Sequence, residues 1–254
     1  MQTLTQNWFP LWELTKRELK RKYARSYLGI LWSIFYPMLR MALVVFMFST
    51  VFNKGIDKYP AYYFVGFLLY EFLNTATSTS LTTLRDNEAL LYKSRMPRSL
   101  LVLSRVMTAF LNTMLGFIPF LFILLFYHVK PTHYLVNVLF ILFFYFLFVT
   151  GWSYILSIVY VVFPDIRNIH SNFLMILRFF VCIFYSIDWV SPAVQAFIRQ
   201  VPVYAVITLS RESVIYGTAP DIHFVWETII WGTVTYAVGK IIFSLNEKKI
   251  LEWM

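Results

Sequence analysis

The stretch WELTKRELKRKYARSYLGILWSIFYP (residues 12–37) changes character halfway along. Its first half holds Lys16, Arg17, Lys20, Arg21, Lys22 and Arg25, and its second half is apolar. Three readings compete: a nucleic-acid arm, a helix lying on a membrane surface, and a docking element for another protein. On a helix turning 100° per residue, Trp12, Leu19, Tyr23, Tyr27 and Ile30 fall within about 60° of one another, and Trp8 joins them. Arg17, Arg21 and Arg25 form a row on the opposite side. Glu13–Arg17 and Glu18–Lys22 are i,i+4 pairs in the favourable order. An aromatic face opposed to a basic face describes an interfacial amphipathic helix over residues 10–30. Gly29 permits a close turn into the apolar segment beginning near Trp32. The bland alternative is that these cations only set membrane orientation. Nucleic acid is disfavoured, because a helix pinned to lipid meets a duplex awkwardly and no nucleic-acid module accompanies it.

The rest of the chain supports a membrane setting. Of 254 residues, 59% are hydrophobic and 14% charged, against about 25% charge in an ordinary soluble domain. Too few polar residues remain to cover a soluble surface. A bilayer core about 30 Å thick takes about 20 apolar residues as helix. Six runs qualify: residues 31–52, 61–84, 100–127, 134–163, 169–187 and 224–245. The fold expected is all-α and integral to the membrane, with six transmembrane helices in a single transmembrane domain over 1–254. No cleavable signal peptide is read, since the basic first ~30 residues lack an h-region and a small-residue cleavage site.

Lysine and arginine bias sets the orientation. With the N-terminus inside, fifteen of the 22 basic residues fall on the cytoplasmic side. They comprise the six of the opening helix, five around residues 85–105, Arg167, and three near the C-terminus. Five fall outside: Lys54, Lys58, Lys130, Arg199 and Arg211. Both termini are therefore expected in the cytoplasm. Residues 188–223 form a long outer segment, interrupted by Pro192, Pro202 and Gly217. Two short helices broken at Pro202 fit it, lying at the outer leaflet or re-entering it. Re-entrant backbone is tolerated only where protein or water satisfies it.

Arg40, Glu71 and Arg178 lie inside apolar runs, where ionisable groups are costly and default to functional candidates. One reading pairs Glu71 with an arginine across a packed interface. Another brings Arg40 or Arg178 onto phosphate, which the guanidinium fork suits. A third leaves Glu71 and Arg178 near the outer surface and wet. Phenylalanines are read as lipid-facing. Tyr145, Trp152 and Tyr154 suit a channel or interface, because each must satisfy a polar atom. Cys182, alone in an apolar run, is read as a packed thiol. There is no G-x-x-x-x-G-K-[ST] phosphate loop, no HExxH and no G-x-S-x-G, and no metal site or catalytic residue is expected.

Four segments resemble a known family. YARSYLGILWSIFYP supplies Tyr23, Ser26, Leu28, Gly29, Trp32 and Pro37. NEALLYKSRMPRSLLVLSRV supplies Asn87, Leu90, Lys93, Pro97 and Arg98. VFPDIRNI keeps Asp165 and Ile166 of an Arg-Asp-Ile element, with Pro164 in place of the Arg. VPVYAVITLSRESVIYG keeps Pro202 and Arg211 of an outer re-entrant segment that usually begins Asn-Pro; Val201 departs. In this order they resemble the ABC-2 type permeases that export lipid-linked polysaccharides and teichoic acids.

The resemblance implies that the chain is half of a transporter in a bacterial inner (plasma) membrane. Two copies form the channel. Each docks on a separate nucleotide-binding ATPase that holds ATP and Mg²⁺, so no cofactor is expected in this chain. The cargo implied is a glycan or polyol-phosphate polymer on undecaprenyl diphosphate: O-antigen, capsule or teichoic acid. Residues 85–99 become the expected coupling helix, through Asn87, Leu90, Lys93, Pro97 and Arg98. Arg17, Arg21, Arg25, Tyr23, Gly29 and Trp32 are assigned to the interfacial helix, either against the ATPase or at the entrance for an anionic lipid head. Competing readings are an ABC-2 exporter of drugs or other lipids, and a non-transporting membrane scaffold.

Overall fold

The computed structural model describes residues 4–23, 29–51, 56–93, 96–130 and 132–253. Among them every regular element is helical: α1 (Leu4–Tyr23), α2 (Trp32–Val51), α3 (Tyr59–Leu81), α4 (Thr83–Asp86), α5 (Glu88–Lys93), α6 (Ser99–Phe126), α7 (Leu135–Val162), α8 (Ile166–Phe180), α9 (Pro192–Ile198), α10 (Pro202–Arg211), α11 (Ile222–Asn246) and α12 (Ile250–Trp253). Arg25, Lys54 and Arg95 lie outside the described residues.

α3 is the central post. Every residue from 61 to 70 is buried. A helix apolar on all sides is covered on all sides, and α2, α6, α7, α8 and α10 surround this one. Phe72 sits in an aromatic cluster with Phe110, Tyr145 and Phe146. The second half of α3 changes to NTATSTSL, where the Thr77 and Thr79 hydroxyls donate to Leu73 O and Thr75 O one turn earlier, each at 2.7 Å.

α6 and α7 have 28 residues each, about 42 Å at 1.5 Å per residue, which exceeds the ~30 Å hydrocarbon. α7 and α11 pack backbone against backbone. A Cβ on Gly151 would run into Thr235 O, and one on Gly232 would come within 2.6 Å of Phe144 O. Small residues allow such close approach, the usual way helices associate where no hydrophobic drive separates protein from lipid.

Among the described residues three helices are long and apolar enough to cross a membrane: α6, α7 and α11. α9 with α10 and its π-helical extension, bent by 93°, makes a fourth if counted as one span. The apolar part of α2 is confined to Ile34–Phe48, and polar residues fill the end of α3. α8 has only 15 residues, about 22 Å, and stops seven residues before the apolar run 169–187 does. Val181 caps it, and Cys182 takes a left-handed φ of 50°. The sequence VCIFY looks apolar throughout, so composition carries no sign of this stop. Within the segment read as 85–99, α4 ends at Asp86 and α5 covers Glu88–Lys93.

Candidate functional site

At one end of α3 the chain gathers most of its charged contacts. α1 lies along α6 and buries Leu11, Leu14, Thr15 and Glu18. That buried stripe runs between the aromatic and arginine faces read from the sequence. Trp8 and Phe9 are 60% and 71% exposed, as lipid-facing side chains of an interfacial helix would be.

Glu18 is 4% exposed and forms an ion pair with Arg105 of α6. A buried carboxylate is costly unless paired and hydrogen-bonded, and here Arg105 and Arg17 share that work. Arg17 Nη2 lies 3.1 Å from Glu18 Oε1, and Arg105 also approaches Asp86 at 3.8 Å. Arg17 donates to Asn87 Oδ1 at 2.8 Å, while Asn87 Nδ2 donates to Thr83 O at 2.8 Å. Arg105 Nε donates to Thr83 Oγ1 at 3.3 Å. The opening helix is thus tied to the loop carrying α4 and α5. Arg98 N–H donates to Glu247 Oε1 at 2.9 Å, joining the far side of that loop to the end of α11.

On α5 the predicted residues separate. Asn87 is buried and committed to Arg17, and Leu90 is half-buried against a small apolar cluster with Leu91 and Leu100. Pro97 and Arg98 are partly exposed, and Lys93 is exposed. Tyr92 is 60% exposed. It is the aromatic surface group of this loop, and nothing in its spacing distinguished it.

Beneath α1 runs a string of clefts. One of about 450 Å³ is lined by Glu18, Arg21, Lys22, Thr79, Asp86 and Arg105. It shares Lys22, Thr75 and Asn112 with a neighbour of about 360 Å³ that includes Tyr23, Trp32, Tyr36 and Glu71. Tyr23 donates to Asn112 Oδ1 at 2.6 Å across their border. Gly29 turns the chain here with a φ of 46°.

Farther along α3, Arg40 and Arg178 converge on a pocket of about 210 Å³ with Tyr63 and Phe184. Arg40 lies 4.0 Å from Glu71 and stacks over Tyr36 at 4.4 Å. Glu71 Oε1 accepts weakly from Asn74 and Thr75, at 3.4 and 3.3 Å, and its Oε2 has no hydrogen-bond partner among the described residues. Arg178 stands over the Tyr70 ring at 5.0 Å, and its buried Nε is also unpartnered among the described residues. Of the three charges in apolar runs, Arg40 thus stands beside both Glu71 and, across the small pocket, Arg178, while Glu71 Oε2 and Arg178 Nε remain open among the described residues.

The aromatics read as channel-lining lie elsewhere. Tyr145 is 1% exposed and donates to Leu69 O at 3.0 Å. Tyr154 is 3% exposed and packs on Phe243. Both polar atoms sit inside this chain's own helix packing; Trp152 is half-buried. Pro202 begins α10 and Arg211 ends it. Among the described residues no group of three or more His, Cys, Asp or Glu comes together.

The ABC-2 type transporter family matches residues 10–215. A Myxococcus xanthus protein named O-antigen export system permease protein RfbA is 31% identical over 176 residues, covering 69% of this chain and 67% of that protein. Two Klebsiella pneumoniae proteins of the same name are 27% and 26% identical, each over 94% of this chain and 92% of their own length.

Proposed function

The chain belongs to the ABC-2 type transporter family, and on that premise we propose that it is the permease half of an ATP-driven exporter of lipid-linked polysaccharide. It is a multi-pass membrane transport subunit, not an enzyme, and ATP is hydrolysed by a separate ABC ATPase. The observation that carries the cargo class is similarity along 94% of the chain to permeases named for O-antigen export.

The finer reading places six spans in a bacterial inner membrane with both termini cytoplasmic. α2, α3 and α8 are the additional crossings, completed by a second copy of the chain. α9 and α10 form a re-entrant pair at the outer face. The carrier is an undecaprenyl diphosphate. The clefts under α1, with Arg21 and Lys22 at the rim and Arg40 and Arg178 deeper, offer an anionic head successive cationic contacts along a partly wet path. Support for this path is the unsatisfied state of Glu71 Oε2 and Arg178 Nε, since buried polar atoms without partners are rare in native interiors.

Coupling to the ATPase is assigned to α5 and its flanks, with ATP and Mg²⁺ on the partner. Tyr92 and Lys93 present the exposed contact, while Asn87 and Leu90 hold the element against α1 and α6. An exposed tyrosine suits a protein contact, offering a rigid apolar face with a polar tip. Tyr92→Ala is expected to weaken retention of the ATPase on the purified permease by about tenfold, within the range of an aromatic hot spot. Unchanged retention and unchanged ATP-dependent export would move the contact away from α5.

A further inference from the structure

At the opposite end of α3 from α1, α8 stops short and leaves a run of backbone carbonyls in the protein interior. Each finds a side-chain donor. Arg211 Nη2 donates to Cys182 O at 3.0 Å and, more weakly, to Ile183 O at 3.5 Å. Tyr59 donates to Phe184 O at 3.0 Å. Tyr62 donates to Tyr185 O at 2.8 Å and approaches Cys182 O at 3.4 Å. Arg211 Nε also donates to Tyr62 O, at 3.2 Å. Four consecutive carbonyls are thus held by three side chains from two other elements.

Arg211 is 4% exposed, and among the described residues it takes part in no ion pair. Its charge is stabilised by carbonyl dipoles and by the Tyr62 ring, 3.4 Å from ring centroid to guanidinium carbon. Gly66 makes the space, since a Cβ there would lie 2.9 Å from Arg211 Nη2. Cys182, at the centre of the cradle, holds a left-handed conformation that a side chain rarely adopts. Such a residue persists only where its surroundings over-determine it.

We propose that Arg211 is a positioning residue that pins the outer helix pair to the broken end of α8, so that α10 and residues 181–185 move as one body during export. The inference rests on the export reading for its consequence, but not for its geometry. Among the described residues α8 and α10 share no side-chain ion pair; Phe180 of α8 meets Phe197 of α9 edge-on, and the Arg211 guanidinium ties α10 to the Cys182 and Ile183 carbonyls just past the end of α8. A displacement of α8 is therefore delivered to α10 through carbonyl hydrogen bonds. Lysine cannot replace it, because a single ammonium lacks the fork that reaches Tyr62 O and Cys182 O together.

The native Cys182, the only cysteine, reports on the cradle directly. In membranes carrying the full chain with its ATPase, maleimide should label Cys182 about tenfold faster in Arg211→Ala than in wild type, because local opening governs access to a buried group. Guanidinium ion at a non-denaturing concentration should slow that labelling again and restore part of the export. Arg211→Lys should label faster than wild type and show no guanidinium rescue. Tyr62→Phe keeps the ring and loses only the hydroxyl bonds, so it should show a smaller rise even where Arg211→Ala fails to fold. Wild-type labelling rates in both Arg211→Lys and Tyr62→Phe would overturn the pin. Faster labelling in both with export of a different cargo would keep the pin and reject the polysaccharide reading.

Discussion

Arg105 and Arg211 are both largely withdrawn from solvent, at opposite ends of the bundle, and are neutralised in different ways. Arg105 meets carboxylates, Glu18 directly and Asp86 at 3.8 Å. Among the described residues Arg211 meets carbonyls and a tyrosine ring. The first arrangement lies beside clefts lined by charged and hydroxyl groups. The second is enclosed by Tyr62, Gly66, Cys182 and Ile183. Charge pairs partner a cation where one helix must dock on others next to water. Dipoles do so where a carboxylate would add a second desolvation cost in an apolar interior. The α1 end is thus expected to respond to salt and to loss of a single partner, and the α10 end to loss of geometry.

The strongest way to break this contrast is to remove the acid. Glu18→Ala leaves Arg105 partly buried with Asp86 as its remaining carboxylate. Loss of one member of a buried pair costs about 3 kcal/mol, so thermal unfolding of the purified protein should fall and α1 should become sensitive to protease. Glu18→Ala with wild-type melting and protection would mean that α1 is held by Leu11 and Leu14 alone.

A smaller effect sharpens the same contrast. Arg17 is 45% exposed in its side chain, and its loss should cost only about 0.5 kcal/mol, in the range of solvent-screened pairs. Arg17→Ala should loosen α1 slightly, seen as faster proteolysis in the 10–23 region. Raising ionic strength from about 0.15 to about 1 M, which shortens the screening length from about 8 to 3 Å, should do the same to wild type and leave Cys182 labelling unchanged. Equal salt sensitivity at both ends would contradict the division between charge pairs and dipoles.

Much of the α1 end was legible in the chain. The 100° periodicity separates the aromatic and arginine faces, and the charged loop after α3 stands out by composition. The buried stripe between those faces was less visible, because Glu18 also fits an i,i+4 pair with Lys22. Its real partner, Arg105, is 87 residues away. Arg40, Glu71 and Arg178 declare themselves as charges in apolar runs, and the fold sets Arg40 beside Glu71 and on the same small pocket as Arg178. The α10 end was far less legible. Pro202 marks the helix start, but Arg211 binds carbonyls, which carry no side-chain signature. The stop of α8 falls inside an apolar run, where the distant Arg211 guanidinium and the Tyr59 and Tyr62 hydroxyls make it tolerable. Tyr145 and Tyr154 reveal the same limit from the other side: their polar atoms needed partners, and intrachain packing supplied Leu69 O to Tyr145.

The most direct test of the central claim is reconstitution of the permease with its ATPase in vesicles containing lipid-linked O-antigen polysaccharide. ATP added on the ATPase side should carry polymer to the opposite face, detected by a membrane-impermeant glycan probe, and omission of the ATPase should abolish transfer. Transfer that proceeds equally without ATPase or ATP, or none when the assembled complex hydrolyses ATP in the presence of that polymer, would contradict it.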